Sequence, residues 1–355
     1  MIVNSAALGL ALKGFETIYS EANLAAVSQY ARVAVDVPSS AQSEDCGWLG
    51  QWPNMREWIG ARHVNNISAS GFTIKNRLFE STVSIKRTDI EDDRLGLFAP
   101  VFREMAATAK RHPDEIVFGL LKQGFATNAC DGQFFFDADH PVLDETGATV
   151  SVANTDGGSG APWFLLDTTR AMRPVIWQTR TLYELQHLDG TSDENVLLRD
   201  EFLYGVRARP NAGFGLWQLA WGSRQPLTPA SYAAARAAMQ AFRGDGGRLL
   251  GIMPNLLAVS PANEEAARKI VNSQLINAGE SNLRGRFCRA ACLAQAGLRH
   301  RRCAALNSAP ATAPLHPVTR FPNGSTCFLP GISKGAAGSS IRARPRPWPR
   351  AAGAM

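Results

Sequence analysis

The chain has 355 residues, of which 45% are hydrophobic and 19% charged, a composition typical of a globular protein with a substantial core. No run of 18 or more uninterrupted apolar residues occurs, which argues against a membrane-spanning helix. The first 20 residues lack a basic leader before their apolar part, so we expect no signal peptide and a cytoplasmic origin, in which structural disulfides are disfavoured.

The net charge of +6 is distributed unevenly along the chain. Residues 283–355 contain 11 Arg, one Lys and no Asp or Glu, so residues 1–282 carry 25 basic and 31 acidic side chains, a net charge of −6. Four of the six cysteines also lie in this C-terminal tail. The basic balance therefore belongs to the tail and does not indicate a polyanion partner for the rest of the chain.

The first predicted element is a helical arm in residues 1–35. Its apolar residues follow a partly amphipathic pattern at Leu8, Leu10, Leu12, Phe15 and Ile18. This pattern fits an ordinary packing helix and an arm that reaches a neighbouring subunit equally well.

A β-rich region follows in residues 46–88. The stretch "FTIKNRLFESTVSIKR" alternates apolar and polar residues, with Ile74, Val83 and Ile85 among the apolar ones. This alternation predicts two strands that form a long hairpin with a charged face. Because an isolated hairpin is only marginally stable in water, we expect it to pack against the rest of the fold or against another chain.

Residues 89–124 are predicted to form one long helix. The stretch "DIEDD" places acidic residues at its start, where the helix dipole favours negative charge. Apolar residues then recur at three- and four-residue spacing. Pro113 is expected to break or kink this helix because proline removes a backbone donor.

Residues 130–282 alternate between strand and helix patterns. Strands are predicted in "FFFDADHP", "PWFLLDT", "EFLYGVRARPNAGFGLWQLAWGS" and "GRLLGIMPNLLAVSP". Residues 228–243 are predicted to be a helix with Thr228 as N-cap and Pro229 in its first turn, and "PANEEAARKIVNSQ" is another helix. From residue 283 the hydrophobic periodicity fades, and the Pro-rich tail is predicted to be disordered.

Motifs for catalysis or metal binding are weak. The acidic cluster at residues 89–93 has Arg94 and Pro100 where an EF-hand needs Gly and Glu, so a solvated helix N-terminus is favoured over a cation site. Asp137, Asp139 and His140 have the chemistry of metal ligands, but no second histidine lies nearby, and a turn that closes a hairpin is favoured.

The tail offers two further alternatives. Its cysteines and His300 resemble zinc-ligand spacing only loosely, because a single close pair, Cys288 and Cys292, is present. Its arginines would suit binding to nucleic-acid phosphates without much structure. We predict no catalytic residue, cofactor or metal ion for the chain.

Long segments of the chain resemble the major head subunit of Mu-like phages and prophages, the gpT family. The resemblance covers about residues 1–282 and rests on "VPSSAQSEDCGWLGQWPNMREWIG", "FTIKNRLFESTVSIKRTDIEDDRLGLFAP", "HPDEIVFGLLKQGF", "DGQFFFDADHP" and "EFLYGVRARPNAGFGLWQLAWGS". It implies the α+β fold of tailed-bacteriophage major capsid proteins. It also implies a structural role in a self-assembling icosahedral shell that encloses DNA, and no enzymatic activity.

The resemblance further implies a division of the chain into regions. These are an N-terminal arm (1–45), an extended β-hairpin loop over a neighbouring subunit (46–88), a peripheral domain with a long spine helix (89–150), a mainly axial domain (151–260) and a helix that returns to the core (261–282). The expected contacts between subunits involve Trp48, Trp52, Arg56, Trp58, Lys75, Arg77, Glu80, Lys86, Arg87 and Asp92.

The implied partners are copies of the chain in pentamers and hexamers, a separately encoded scaffold and protease, a portal, and packaged DNA, with no membrane. The implied location is the virion capsid, reached from the host cytoplasm. A nanocompartment shell of the same fold and a nucleic-acid-binding protein that acts through its tail remain as alternatives.

The tail departs from the family, which is expected to end with a short strand that closes the fold. An acid-free composition rich in Arg, Ala, Pro and Cys is what a GC-rich gene yields in the wrong reading frame. The sequence therefore predicts a frameshift near codon 283, an open sheet edge where the closing strand is missing, and poor assembly.

Overall fold

The computed structural model describes residues 5–45, 73–92, 95–190, 193–272, 275–276, 280–281 and 289–292. Within these ranges the α-helices are α1 (Ser5–Ala25), α2 (Arg87–Glu91), α3 (Ala99–Gln123), α4 (Glu194–Arg199), α5 (Pro229–Gln240) and α6 (Glu264–Asn272). The strands are β1 (Ala34–Pro38), β2 (Ser43–Asp45), β3 (Thr73–Lys75), β4 (Phe79–Lys86), β5 (His140–Leu143), β6 (Thr149–Val152), β7 (Thr155–Gly158), β8 (Trp163–Leu166), β9 (Val175–Leu188), β10 (Glu201–Phe214), β11 (Ala220–Arg224), β12 (Leu256–Val259), β13 (Leu275–Ile276), β14 (Glu280–Ser281) and β15 (Arg289–Cys292).

The two longest strands, β9 and β10, form the centre of a four-stranded sheet with the order β1-β9-β10-β4. β1 runs parallel to β9, whereas β10 is antiparallel to both β9 and β4. Buried and exposed residues alternate along β10 from Phe202 to Ala208, as expected for a strand with one face towards a core.

The helix predicted in residues 1–35 is confirmed as α1, and it packs within its own chain. The Phe15 ring stacks on Phe102 of α3 at a centroid distance of 4.2 Å, and both rings meet the edge of Tyr204 on β10. Phe15 and Phe102 are buried. The described residues therefore agree with an ordinary packing helix, because the apolar face of α1 is covered by α3 and the sheet.

The long helix is confirmed as α3, with two corrections. It runs through Pro113 without a break, so of the predicted break or kink the break is wrong, and Pro113 is buried. The acidic residues of "DIEDD" do not begin this helix, because they follow β4 in and after the separate short helix α2. Asp114 fixes the chain that follows α1, since its Oδ1 accepts hydrogen bonds from Ser28 Oγ (2.8 Å) and from the Tyr30 backbone N–H (2.6 Å).

The predicted long hairpin is wrong for the part of it that the structure describes. β3 pairs antiparallel with β2, and β4 pairs with β10 over eight positions, so the two strands do not pair with each other. Ile85 explains the preference of β4 for β10, because it is fully buried in one cluster with Phe202 and Ile90. β4 therefore has its partner within its own chain.

A second sheet has five strands in the order β15-β12-β8-β11-β7. Every residue of β8 and β12 is buried, and both strands are continuous apolar runs, "WFLL" and "LLAV". The predicted helix 228–243 is confirmed as α5. Its N-terminus has reciprocal hydrogen bonds, since Thr228 Oγ1 accepts from the Ser231 N–H (3.1 Å) and Ser231 Oγ accepts from the Thr228 N–H (2.9 Å).

Two further predictions, one for "FFFDADHP" and one for the tail, need correction. "FFFDADHP" forms no strand before His140, because this stretch has bends and one isolated bridge, from Phe134 to Asn128, while Phe135 stacks on Phe214 at 4.1 Å. The tail is not without structure in its described part, since β15 (Arg289–Cys292) pairs in parallel with β12. The edge beside β12 is thus occupied, and the predicted open edge is wrong.

Candidate inter-subunit surface

Six of the ten residues predicted for contacts between subunits lie in the described part of the chain. Trp48, Trp52, Arg56 and Trp58 lie outside the described residues. The six described residues are Lys75, Arg77, Glu80, Lys86, Arg87 and Asp92. Arg87 is half-buried, and the other five are exposed. The structure separates them into a group on β4, a group around α2, Lys75 on β3, and Arg77 beside α3.

Charged residues of opposite sign line up on the outer face of the four-stranded sheet, the face away from α1 and α3. Arg207 on β10 lies opposite Glu80 on β4 and opposite Glu184 on β9, and Lys86 lies opposite Glu201. Opposite charges at such cross-strand positions contribute about 0.2–1 kcal/mol per pair. Glu80 therefore belongs with Arg207 and Glu184 to a charged row that crosses three strands, whereas Lys86 and Glu201 form a separate pair at the other end of β4.

The residues around α2 have partners of their own. Arg87 Nε lies 3.1 Å from Glu91 Oε1, one helical turn further along, and the Arg87 backbone N–H donates to the Asp200 carbonyl at 2.9 Å. The Asp92 backbone N–H donates to the Thr88 carbonyl, while the Asp92 side chain is exposed. This end of the sheet therefore presents a mixed-charge surface next to α4.

Arg77 lies above an aromatic cluster on the opposite face. Its guanidinium carbon is 5.2 Å from the Phe79 ring centre, and the Phe79 ring meets His112 of α3 edge-on at 4.4 Å. His112 Nδ1 and the Tyr183 hydroxyl are 2.6 Å apart. Burial, together with the positive charge of Arg77, holds the pKa of His112 below its ordinary value, and burial raises the pKa of Tyr183. His112 is therefore neutral around pH 7.

Exposed leucines near the charged row were missed by the sequence reasoning. Leu188 on β9 lies opposite Leu203 on the outer face, and its relative exposure is 52%. Leu182 of β9 and two adjacent residues of α4, Leu197 and Leu198, are between 70% and 79% exposed. The pattern "TLYELQHL" contained the signal, because apolar residues on both faces of a strand indicate that both faces become covered.

The group Asp137, Asp139 and His140 does not form a site, since Asp139 is exposed whereas His140 is fully buried. His140 Nδ1 lies 2.6 Å from Asp131 Oδ2, and its ring stacks on Trp217 at 4.0 Å. Nε2 lies 3.2 Å from Asn154 Oδ1. With both ring nitrogens engaged, His140 acts as a structural residue.

Metal-binding clusters and membrane-spanning helices are both absent from the described part of the chain. No cluster of three or more His, Cys, Asp or Glu side chains suited to a metal ion occurs within it. None of the helices in these ranges is long and apolar enough to cross a membrane.

A shallow cavity of about 700 Å³ lies between the β5–β6 hairpin and α5. Its lining includes Val142, Val150, Ala238, Phe242 and Arg243, and it contains none of the predicted contact residues.

Comparison with known proteins identifies relatives along almost all of the described fold. A family described as "Mu-like prophage major head subunit gpT" matches residues 8–289. The major capsid protein of Escherichia phage Mu is 39% identical over 289 residues, which cover 80% of this chain and 95% of that protein. The Mu-like prophage FluMu major head subunit of Haemophilus influenzae is 39% identical over 269 residues, or 74% of this chain and 87% of the relative.

Solved structures agree with these relatives. A chain from the procapsid of bacteriophage JBD30 is 41% identical and superimposes with a TM-score of 0.73, over 82% of this chain and 100% of that chain. A chain from the JBD30 capsid is 32% identical with a TM-score of 0.64, over 75% of this chain and 90% of the other. The α+β fold is thus that of phage major capsid proteins, and the chain belongs to the Mu-like prophage major head subunit gpT family.

Proposed function

We propose that this chain is the structural subunit of a Mu-like phage head and assembles with copies of itself into a closed icosahedral shell that encloses DNA. The match to a procapsid chain along the whole length of that chain carries the proposal. The outer face of the four-stranded sheet supports it, because exposed leucines beside a charged row suit a surface that another subunit covers.

The regions expected from the resemblance are part of the proposal. Residues 1–45 would form the N-terminal arm, α3 the spine helix of the peripheral domain within 89–150, and 151–260 most of the axial domain, followed by the returning helix at 261–282. The resemblance assigns residues 46–88 to the loop over a neighbouring subunit. Because β4 pairs with β10 and β3 pairs with β2, we propose that only residues 46–72 form this loop. The contact residues Trp48, Trp52, Arg56 and Trp58 lie in that segment.

The proposed partners are copies of this chain in pentamers and hexamers, a separate scaffold and protease, and a portal, with assembly in the host cytoplasm. We propose no catalytic activity, as the relatives are structural capsid proteins. The alternatives of a nanocompartment shell and of a nucleic-acid-binding tail are not favoured, because the relatives are phage head proteins.

The test is expression of the 355-residue chain, followed by sedimentation and electron microscopy. We expect closed particles made of the chain, in place of the poor assembly predicted from a missing closing strand, because β15 occupies the edge beside β12. Leu188→Asp should abolish them while the melting temperature of the subunit stays unchanged, because a charge on the outer face opposes contact with a second subunit. Leu188→Met keeps the apolar character and should assemble. A wild-type chain that stays monomeric at every concentration would contradict the proposed function.

We also propose that the tail arises from a frameshift near codon 283. The family match ends at residue 289, a few residues after the composition changes. Translation of the neighbouring frames from codons 275–290 onward tests this proposal. A family-like ending in one of those frames is expected, and its absence from both would rule the frameshift out.

A further inference from the structure

The strands β2 and β3 form a short antiparallel stem, in which Ser43 faces Lys75 and Asp45 faces Thr73. Residues 46–72 connect the two strands of this stem. The direction in which the chain leaves the described fold at Asp45, and returns to it at Thr73, therefore depends on how the stem is held.

A fully buried glutamine on the central strand β9 holds the stem. Gln178 Nε2 donates hydrogen bonds to the Ile74 carbonyl at 3.1 Å and to Asn76 Oδ1 at 2.9 Å. Its Oε1 has no hydrogen-bond partner among the described residues, so the two donated bonds alone orient the amide. The Ile74 side chain is itself part of the main core, which ties the stem to the sheet.

Asn76 connects Gln178 to the segment that leads into β2, the other strand of the stem. It is buried, and its Nδ2 donates to Ser39 Oγ at 2.8 Å and to the Ala41 carbonyl at 3.0 Å. The Asn76 backbone N–H donates to the Gln42 carbonyl at 3.0 Å. Both sides of the stem are thereby connected to β9 through one side chain.

Glu44 completes the network at the surface. Its Oε1 accepts hydrogen bonds from Ser39 Oγ (3.0 Å), from the Ser40 N–H (2.7 Å) and from the Ala41 N–H (3.0 Å). These bonds fix the turn that leads into β2. A hydrogen-bond network with this many shared members, in which Gln178 and Asn76 are buried, specifies one arrangement, because removal of one member leaves others without a partner.

We infer that Gln178 and Asn76 are positioning residues that fix the stem relative to the four-stranded sheet, and that they thereby set the direction in which the chain leaves the stem at Asp45 and returns to it at Thr73. This inference rests on the proposed shell function. It assigns these two buried residues a role in the geometry of the shell beyond their contribution to the fold.

The experiment compares Gln178→Leu and Glu44→Ala with the wild-type full-length chain. Gln178→Leu removes the amide at similar volume, and Glu44→Ala removes the surface acceptor with little risk to folding. Glu44→Gln, which retains a carbonyl oxygen as acceptor, is the matched control. Melting temperature, the rate of trypsin cleavage after Arg56 and Arg62, and the particle diameter are measured for each chain.

We expect several-fold faster cleavage at these two sites and a broadened or shifted particle diameter in Gln178→Leu and in Glu44→Ala. For Glu44→Ala and the control Glu44→Gln we expect a wild-type melting temperature, and for the control also wild-type cleavage and particles. Wild-type cleavage rates and diameters in both test variants would overturn the inference. If the wild-type chain itself forms no particles, the shell function fails, and the cleavage comparison still decides whether the network holds the stem.

Discussion

The two large sheets of the molecule differ in how many of their faces are covered. In the five-stranded sheet, β8 and β12 are buried at every residue. In the four-stranded sheet, α1 and α3 cover one face, and the other presents a charged row and exposed leucines. The difference indicates that the five-stranded sheet is an internal scaffold, while the four-stranded sheet retains a face for another subunit.

The largest effect on stability should come from a leucine in the five-stranded sheet, and a leucine in the four-stranded sheet provides the contrast. Leu165→Ala in β8 should lower the free energy of unfolding by about 2–5 kcal/mol, because it leaves a cavity in a close-packed core. Leu182→Ala on β9 should change it by no more than about 0.5 kcal/mol, since that side chain is exposed. Urea unfolding of the unassembled subunit measures both. Equal losses of unfolding free energy in the two variants would contradict the view that only the five-stranded sheet is covered on both faces.

A smaller effect is expected at the helix cap that borders the five-stranded sheet. Thr228→Ala should lower the free energy of unfolding by about 1 kcal/mol, because the N-terminus of α5 loses the acceptor for the Ser231 N–H. Thr228→Ser keeps the hydroxyl and should retain most of the stability in the same urea titration. If serine is as damaging as alanine, the hydrogen bond is not the cause.

His112, which packs on the covered face of the four-stranded sheet, should make the free energy of unfolding depend on pH. Its folded pKa lies below the ordinary value of 6.5, so the unfolded chain takes up the proton first as the pH falls. The stabilisation is fully present above about pH 6.5 and is lost as the pH falls towards the folded pKa. Urea unfolding between pH 7.5 and 5 should show a shallower decline in His112→Gln, and an identical decline would contradict the assignment.

The smallest effect should appear in α2, the short helix that follows β4. Arg87→Ala removes the ion pair with Glu91 and should cost about 0.2–0.5 kcal/mol of unfolding free energy, as expected for partly exposed charges one helical turn apart. The difference should shrink in high salt because exposed charges are screened. A larger effect that persists in salt would show that Arg87 acts through packing.

Local patterns in the sequence were enough to predict several elements. The Thr-Pro start of α5, the apolar run of β12 and the spacing of α3 each depend on neighbours within a few residues, and all three are confirmed. The family and the α+β fold were likewise accessible through long motifs.

Other features depend on contacts between distant residues. β4 pairs with β10, which lies more than 100 residues later, and no local pattern distinguishes that partner from β3. The strand predicted for "FFFDADHP" is wrong because Phe135 and Phe136, in a bent segment, both pack into the core, against Phe214 and Phe164. The exposed leucines were missed because the region of β9 was not read as a strand with two apolar faces.

The register of the four-stranded sheet has a consequence for synthesis on the ribosome. Ala34 pairs with Val175, so β1 has no partner until about 140 more residues have been translated. At about 5–20 residues per second, this strand waits on the order of 10 seconds, and β4 waits nearly as long for β10. During that interval the apolar residues of both strands are exposed, and the nascent chain is most in need of a chaperone.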